Sequence, residues 1–256
     1  MKSSLVEQAS FLAGVQKATA VDRINSMIIF GETGMGKTWL AASADEIADY
    51  APVLIVDIEG SAAGVGRKYP NVDVIQADTY EKLEIIRKEL LTKEHPYKTV
   101  IFDTLNVAQN RAEAFFRTKP ENANNKFGVW GDLKVWTLQF AREMHAAPFM
   151  AIFIAHAETE KDENTGRLLT SVLIAGGAKK QVPTVPDLIG YMHYAADEDG
   201  NPVRALRVGK STSIITKNRF GLPDVIMPAK GATGPTIFDI QQEIIKAQIG
   251  RENEEN

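Results

Sequence analysis

Gly31-Glu32-Thr33-Gly34-Met35-Gly36-Lys37-Thr38 is the stretch that decides the reading of this chain. It matches G-x-x-x-x-G-K-[ST], and its surroundings suit that pattern. Met27-Ile28-Ile29-Phe30 leads in as a buried strand, and Trp39-Leu40-Ala41-Ala42-Ser43-Ala44 leads out as a helix. Glycines permit backbone shapes that a side chain forbids, so several N–H groups can converge on one phosphate. The positive end of the following helix adds to the attraction. Lys37 is expected to reach the β- and γ-phosphates and the Thr38 hydroxyl to hold Mg²⁺. Gly31 through Thr38, with the adjoining Trp39, are therefore the candidate nucleotide-binding residues, and ATP and Mg²⁺ the implied cofactors. A tight turn that binds nothing would leave the lysine and threonine without a reason to be there.

The 256 residues suit one large α/β domain, and a hydrophobic fraction of 44% can fill its core. No apolar run approaches the ~18 residues that suggest a membrane span. No long apolar stretch follows Lys2, so the N-terminus does not read as a signal peptide. The absence of cysteine excludes disulfides, thiolate catalysis and cysteine-bound metals. A cytoplasmic protein is expected. The net charge of −4 argues against a generally basic nucleic-acid coat but leaves room for a local basic groove.

The pattern along the chain predicts a polar lead-in over residues 1–24, an ATPase domain over 25–249 and an acidic, frayed tail over 250–256. Strands are expected at about Asn25–Phe30, Val53–Asp57, Val72–Ile75, Thr99–Asp103 and Phe149–Ala155. Helices are expected from the glycine loop to about Tyr50, over Tyr80–Leu91 behind a Thr79 cap, over Leu105–Phe116 and over Leu133–Ala146. Residues 117–131 and 157–187 read as loops. Gly190–Ala196, Val203–Val208 and Ser213–Thr216 read as short strands, and Thr236–Ile249 as the last helix. The fold class is α/β: a mostly parallel sheet covered by helices on both faces, with a C-terminal antiparallel extension.

Hydrolysis of a nucleoside triphosphate needs an acid on the metal side and a group that orients water. In such a sheet both belong at the C-terminal ends of strands. One strand ends in Asp57-Ile58-Glu59 and another in Asp103-Thr104. Local pattern alone allows either aspartate to serve the metal and either to be a turn carboxylate.

The order of these pieces resembles the ATPase core of RecA-type recombinases over roughly residues 25–220. The resemblance makes Glu59, in Asp57-Ile58-Glu59, the residue that activates water. It makes Asp103 the metal-side acid with Thr38, and gives His156 the place of a γ-phosphate sensor that is usually glutamine. It assigns Lys217 and Arg219, in Lys217-Asn218-Arg219, to the ATP of a neighbouring subunit, which implies a homo-oligomer, ring or filament. Mobile DNA-contacting loops are implied at about 117–132 and 157–187. The chain departs from bacterial RecA in three respects. Only about 24 residues precede the first strand, Phe11 is followed three residues on by Gly14 where a Phe-x-x-Ala motif would have alanine, and the core is followed closely by the end. It looks most like phage-encoded, AAA-type ATP-binding proteins of the RecA-like single-strand annealing branch.

The residues themselves bear on a DNA role. Arg111, Arg117, Lys119, Lys126 and Lys134 interleave with Phe115, Phe116, Phe127, Trp130 and Trp136. Single-strand binding uses cations along the phosphates and rings against the bases. Phe115, Phe116 and Trp136 read as core positions on helix faces, leaving Phe127 and Trp130 as the aromatic candidates beside Arg117 and Lys126. Gly176-Gly177 and Lys179-Lys180 form a second candidate contact, although Glu158, Glu160, Asp162 and Glu163 oppose DNA along the first part of that segment. The expectation is a DNA-dependent ATPase that binds single-stranded DNA and supports strand annealing or exchange, with a single-strand-binding protein as a further partner and no membrane role. A nucleotide or small-molecule kinase on the same loop is the main rival, weakened because residues 157–180 offer only Arg167 for a lid. An ATP-gated replication accessory module is the other.

Overall fold

The apolar runs become parallel strands because each is hydrophobic on both faces and must be covered twice. The computed structural model describes residues 23–123, 125–163 and 165–255, with 251–255 as backbone. In chain order the first half holds β1 (Ser26–Gly31), α1 (Lys37–Ala42), β2 (Val53–Asp57), β3 (Asp73–Gln76), α2 (Tyr80–Thr92), β4 (Thr99–Asp103), α3 (Leu105–Thr118) and α4 (Lys126–Ala146). The second half holds β5 (Met150–Lys161), β6 (Leu168–Val172), β7 (Leu188–Ala196), β8 (Pro202–Arg207), β9 (Lys217–Asn218), β10 (Val225–Ile226) and α5 (Ile237–Glu255).

The sheet order is β10-β8-β7-β1-β5-β4-β2-β3. From β7 to β3 every neighbouring pair is parallel. β8 and β9 run antiparallel to β7, and β10 antiparallel to β8. This is an α/β P-loop fold with an antiparallel extension, as the sequence pattern requires. Alternation along each strand splits the core in two. Ile28, Phe30, Val56, Phe102 and Phe153 face α3 and α4, where Phe102 stacks on Phe153 with ring centres 5.3 Å apart and Trp136 on Phe140 at 5.4 Å. Met27, Ile29, Ile55, Ile101 and Ile152 face α1 and α5, packing with Leu40, Ile237, Ile240 and Ile244. Phe116 and Trp136 are buried as expected, and Phe115 is half-buried against Tyr80.

Several boundaries differ from the sequence reading. Helix α1 stops at Ala42, because Ser43 turns into a short 3-10 turn, donates to the Leu40 carbonyl at 2.6 Å and accepts the Ile237 N–H of α5 at 2.8 Å. Helix α4 begins at Lys126, seven residues earlier than the pattern suggested. The Asn125 side chain caps it by accepting the Gly128 N–H at 3.0 Å, and Val129 and Leu133 bury one face. Phe127 and Trp130 are thus on a helix and not in a loop. Strand β5 continues to Lys161 and pairs with β6, so residues 157–172 are a hairpin. Its turn is closed by Asp162, whose side chain accepts the Thr165 N–H at 2.7 Å. Ser213–Thr216 is no strand but carries a single bridge, Thr170 to Ile214. The expected frayed tail continues α5 to Glu255, and the lead-in expected over 1–24 lies outside the described residues up to Asp22.

Candidate functional site

Sheet register brings the chemistry-bearing residues to one edge. Gly31, the last residue of β1, is level with His156 on β5, and Asp57 is level with Asp103 on β4. The strand ends open onto a cavity of about 270 Å³ lined by Lys37, Thr38, Glu59, Asp103, His156 and Arg204, among others. Nine of the residues singled out from sequence therefore meet in one place, Thr33, Gly34, Gly36 and Trp39 being the other four.

The loop after β1 is shaped by close approach and by left-handed backbone. A Cβ on Gly31 would lie 2.9 Å from the Met192 carbonyl oxygen of β7, so only glycine lets the strands meet there. Gly36 has φ +82° and is the N-cap of α1, with no side chain to accept the first amides of the helix. Those amides are left for an anionic ligand, which is how this loop type cradles phosphate. Lys37 is buried and donates from Nζ to the carbonyls of Gly31 (2.9 Å) and Glu32 (2.8 Å). Burial holds its pKa below the usual lysine value, against the attraction of Asp103, Glu59 and Glu32. A phosphate would give this ammonium a stronger acceptor than two carbonyls.

The two strand-end aspartates separate cleanly. Asp57 accepts from the Gly60 (2.7 Å), Ser61 (3.1 Å) and Ala62 (3.3 Å) amides and from Gln76 Nε2 (3.0 Å). It is a turn carboxylate with its lone pairs taken. Asp103 accepts from the Thr38 hydroxyl at 2.8 Å. Burial pushes its pKa up to about 6, with Glu59 and Asp57 adding to the shift and the Thr38 bond and Lys37 opposing it. A buried carboxylate paired with a threonine hydroxyl is a fit for Mg²⁺, which takes few protein ligands and completes its shell with phosphate and water. Among the described residues no group of three or more histidines and acids is placed to hold a metal ion. Mg²⁺, when bound, neutralises phosphate charge and polarises the bond to be cleaved.

Glu59 is held by neighbours on two sides. The Thr104 hydroxyl donates to Oε2 at 3.2 Å, and His156 Nε2 stands 3.5 Å from Oε1. Its backbone N–H and that of Ile58 donate to the Asp103 carbonyl at 3.1 and 2.8 Å, tying the acid to β4. The His156 backbone N–H donates to Asn106 Oδ1 at 3.2 Å, which ties β5 to the start of α3. Trp39 lies half-exposed beside the loop, its ring edge-on to Tyr69 at 6.4 Å. Glu32, Thr33 and Gly34 form the exposed outer turn of the loop, and Met35 is buried beneath it.

The remaining sequence candidates lie elsewhere. Lys217 is level with Ile189, and so with Ile28, three residues and roughly 10 Å down the sheet from Gly31. Its Nζ donates to the Thr184 carbonyl at 2.6 Å. Arg219 pairs with buried Asp187 at 2.8 Å, whose other oxygen accepts the Asn25 N–H at 2.9 Å. Neither basic residue enters this chain's phosphate cavity. Phe127 is 91% exposed, and Trp130, partly exposed, touches the Gly176 turn, where an added Cβ would lie 3.0 Å from its ring. Lys126 and Lys180 are exposed. Arg117 pairs with Glu113, and Lys179 is held between Glu158 (2.9 Å) and Glu160 (2.5 Å). Sequence reasoning missed Thr104 and Asn106, which follow Asp103 and act on Glu59 and His156. It also missed Arg204, whose lone position in a short strand carries no motif.

A glycine loop that can cradle phosphate, a threonine–aspartate pair beside it and a positioned glutamate at the strand ends define a P-loop nucleoside triphosphatase. Comparison with family models agrees: residues 23–220 match the AAA domain. The chain belongs to that family and is a P-loop ATPase of the AAA type. A search of curated proteins finds no match. Among the described residues no helix is long and apolar enough to cross a membrane.

Proposed function

We propose that this ATPase binds single-stranded DNA and supports strand annealing or exchange, as a RecA-like enzyme of the phage annealing type working in the cytoplasm. The observation that carries the reading is the continuity of β5. That strand holds His156 in the phosphate cavity, runs on into the 157–172 hairpin and returns to the Gly176 turn against Trp130. A change at the phosphates can therefore reach the Trp130 ring, one helical turn from Phe127, through the β5–β6 hairpin and the Gly176 turn. Exposed rings beside Lys126 suit base stacking, worth about 1–3 kcal/mol per base. The internal pairing of Arg117 and Lys179 means that these two cations reach a phosphate backbone only by leaving their acids.

In this reading Lys37 binds the β- and γ-phosphates, and Thr38 and Asp103 hold Mg²⁺. Glu59 takes a proton from the attacking water, steadied by Thr104 and His156, and His156 senses the cavity's occupant. Lys217 and Arg219 serve the site of a neighbouring subunit in a ring or filament, and a single-strand-binding protein delivers the DNA. The test is single-strand binding across salt for the intact protein and for Phe127→Ala with Trp130→Ala. Binding that falls steeply with salt and drops ~10-fold or more in the double variant supports the reading. Binding that the variant leaves unchanged removes these rings from it.

A further inference from the structure

Arg204, on β8, stands where the phosphate cavity meets a second cavity of about 390 Å³. Gly36, Trp39 and Arg204 line both spaces. The second is walled by Trp39, Tyr69, Lys68 and the turn Thr233-Gly234-Pro235-Thr236. Its aromatic wall and its opening onto the phosphate loop suit the base and ribose of a nucleotide.

The arginine is fixed along two of its three nitrogens. Nε donates to the Thr233 carbonyl at 3.1 Å and Nη2 to the Thr233 hydroxyl at 3.0 Å. Nη1 has no acceptor within the chain among the described residues, and it lies over the phosphate loop: a Cβ on Gly36 would be 2.5 Å from it. Gly234 makes room on the other side, where a Cβ would be 3.3 Å from Nε. A guanidinium clamped on one edge and open on the other presents its free donors in a set direction. The nearest use for them is an anion bound by the loop.

We propose that Arg204 is a nucleotide-binding arginine supplied by the same chain, contacting the α- and β-phosphates at the junction of the phosphate and nucleoside cavities. It rests on the ATPase reading and adds to it. Its place beside Trp39, towards the nucleoside cavity, sets it apart from the cluster of Glu59, Asp103 and His156. Diphosphate and triphosphate therefore gain equally, and the contact strengthens binding more than it speeds cleavage.

The experiment is calorimetric titration of the full chain with Mg·ADP, alongside steady-state ATP turnover, for wild type, Arg204→Ala, Arg204→Lys and Thr233→Ala. Lys37→Ala serves as the control for the nucleotide site itself. The expected result for Arg204→Ala is ADP affinity lower by 10-fold or more and KM raised by a like factor, with kcat within about threefold. Arg204→Lys should recover part of the loss, and Thr233→Ala should lose less than Arg204→Ala. A drop in kcat at unchanged KM would overturn the proposal, because the arginine would then act on the cleaved phosphate. Unchanged ADP affinity with a lowered melting temperature in both Arg204→Ala and Thr233→Ala would also overturn it, leaving a tether of the 233–236 turn. Wild type that binds ADP no better than Lys37→Ala would sink the nucleotide site and this proposal together, whereas loss confined to Lys37→Ala sinks this proposal alone.

Discussion

Replacing Asp103 by asparagine is expected to make the nucleotide-free protein more stable while removing its activity. The carboxyl is almost fully buried and its pKa is pushed up to about 6, from an ordinary 3.8. Below pH ~4 both folded and unfolded chains carry a neutral Asp103, and the group makes no difference. As pH rises from there, the unfolded chain ionises first and stability falls. The loss is complete once pH passes the folded value of about 6. Two pKa units at ~1.36 kcal/mol each put the cost near 3 kcal/mol at pH 8, and that figure already contains the attraction of Lys37. Asparagine keeps an oxygen for the Thr38 hydroxyl and carries no charge to desolvate. Chelator-treated Asp103→Asn should therefore melt roughly 5–10 °C above wild type at pH 8 and level with it by about pH 3. Adding Mg·ADP should stabilise wild type and leave the variant nearly unmoved. Thermal unfolding across pH checks this. A variant no more stable than wild type at pH 8, or a gap that ignores pH, would refute the reasoning.

Three further outcomes follow from the site. Glu59→Gln should keep nucleotide binding and lose turnover by ~10²–10⁴-fold, as measured by titration and phosphate release. Asp57→Ala should cost about 2–4 kcal/mol in denaturant unfolding, since it strands the Gly60, Ser61 and Ala62 amides and the Gln76 amide; a stable but inactive variant would instead restore Asp57 as a metal-side acid. Arg219→Ala should cost about 1–3 kcal/mol by leaving buried Asp187 without its cation, discounted because the guanidinium is partly exposed. If that variant is as stable as wild type yet inactive, and activity returns on mixing with Lys37→Ala, the subunit-bridging role is favoured over the structural one.

The sheet was legible because its strands are hydrophobic on both faces and its loop motif is specific. Lys37 and Thr38 were legible from the loop motif, and Glu59, Asp103 and His156 because each lies at or just past the end of an apolar run, where the parallel part of the sheet has its C-terminal edge. The choice between Asp57 and Asp103 was not. It depends on which amides fold back on each carboxylate, and Gln76, which fills the last lone pairs of Asp57, is on another strand. The start of α4 was hidden by Gly128 and Gly131, which look like loop residues until Asn125 caps the first turn and Val129 and Leu133 bury. The β5–β6 hairpin was hidden by its charges, which lie along exposed positions of paired strands. Arg204 was beyond sequence reading, because only the pairing of β8 with β7 brings it over Gly36.

ATP turnover of the full chain, with and without single-stranded DNA, tests the central claim most directly. The account expects a slow Mg²⁺-dependent ATPase that single-stranded DNA stimulates, with stimulation lost in Phe127→Ala/Trp130→Ala and all turnover lost in Lys37→Ala. Turnover that DNA leaves unchanged, in a protein that does not bind it, would contradict the account and leave an AAA-type ATPase with another partner.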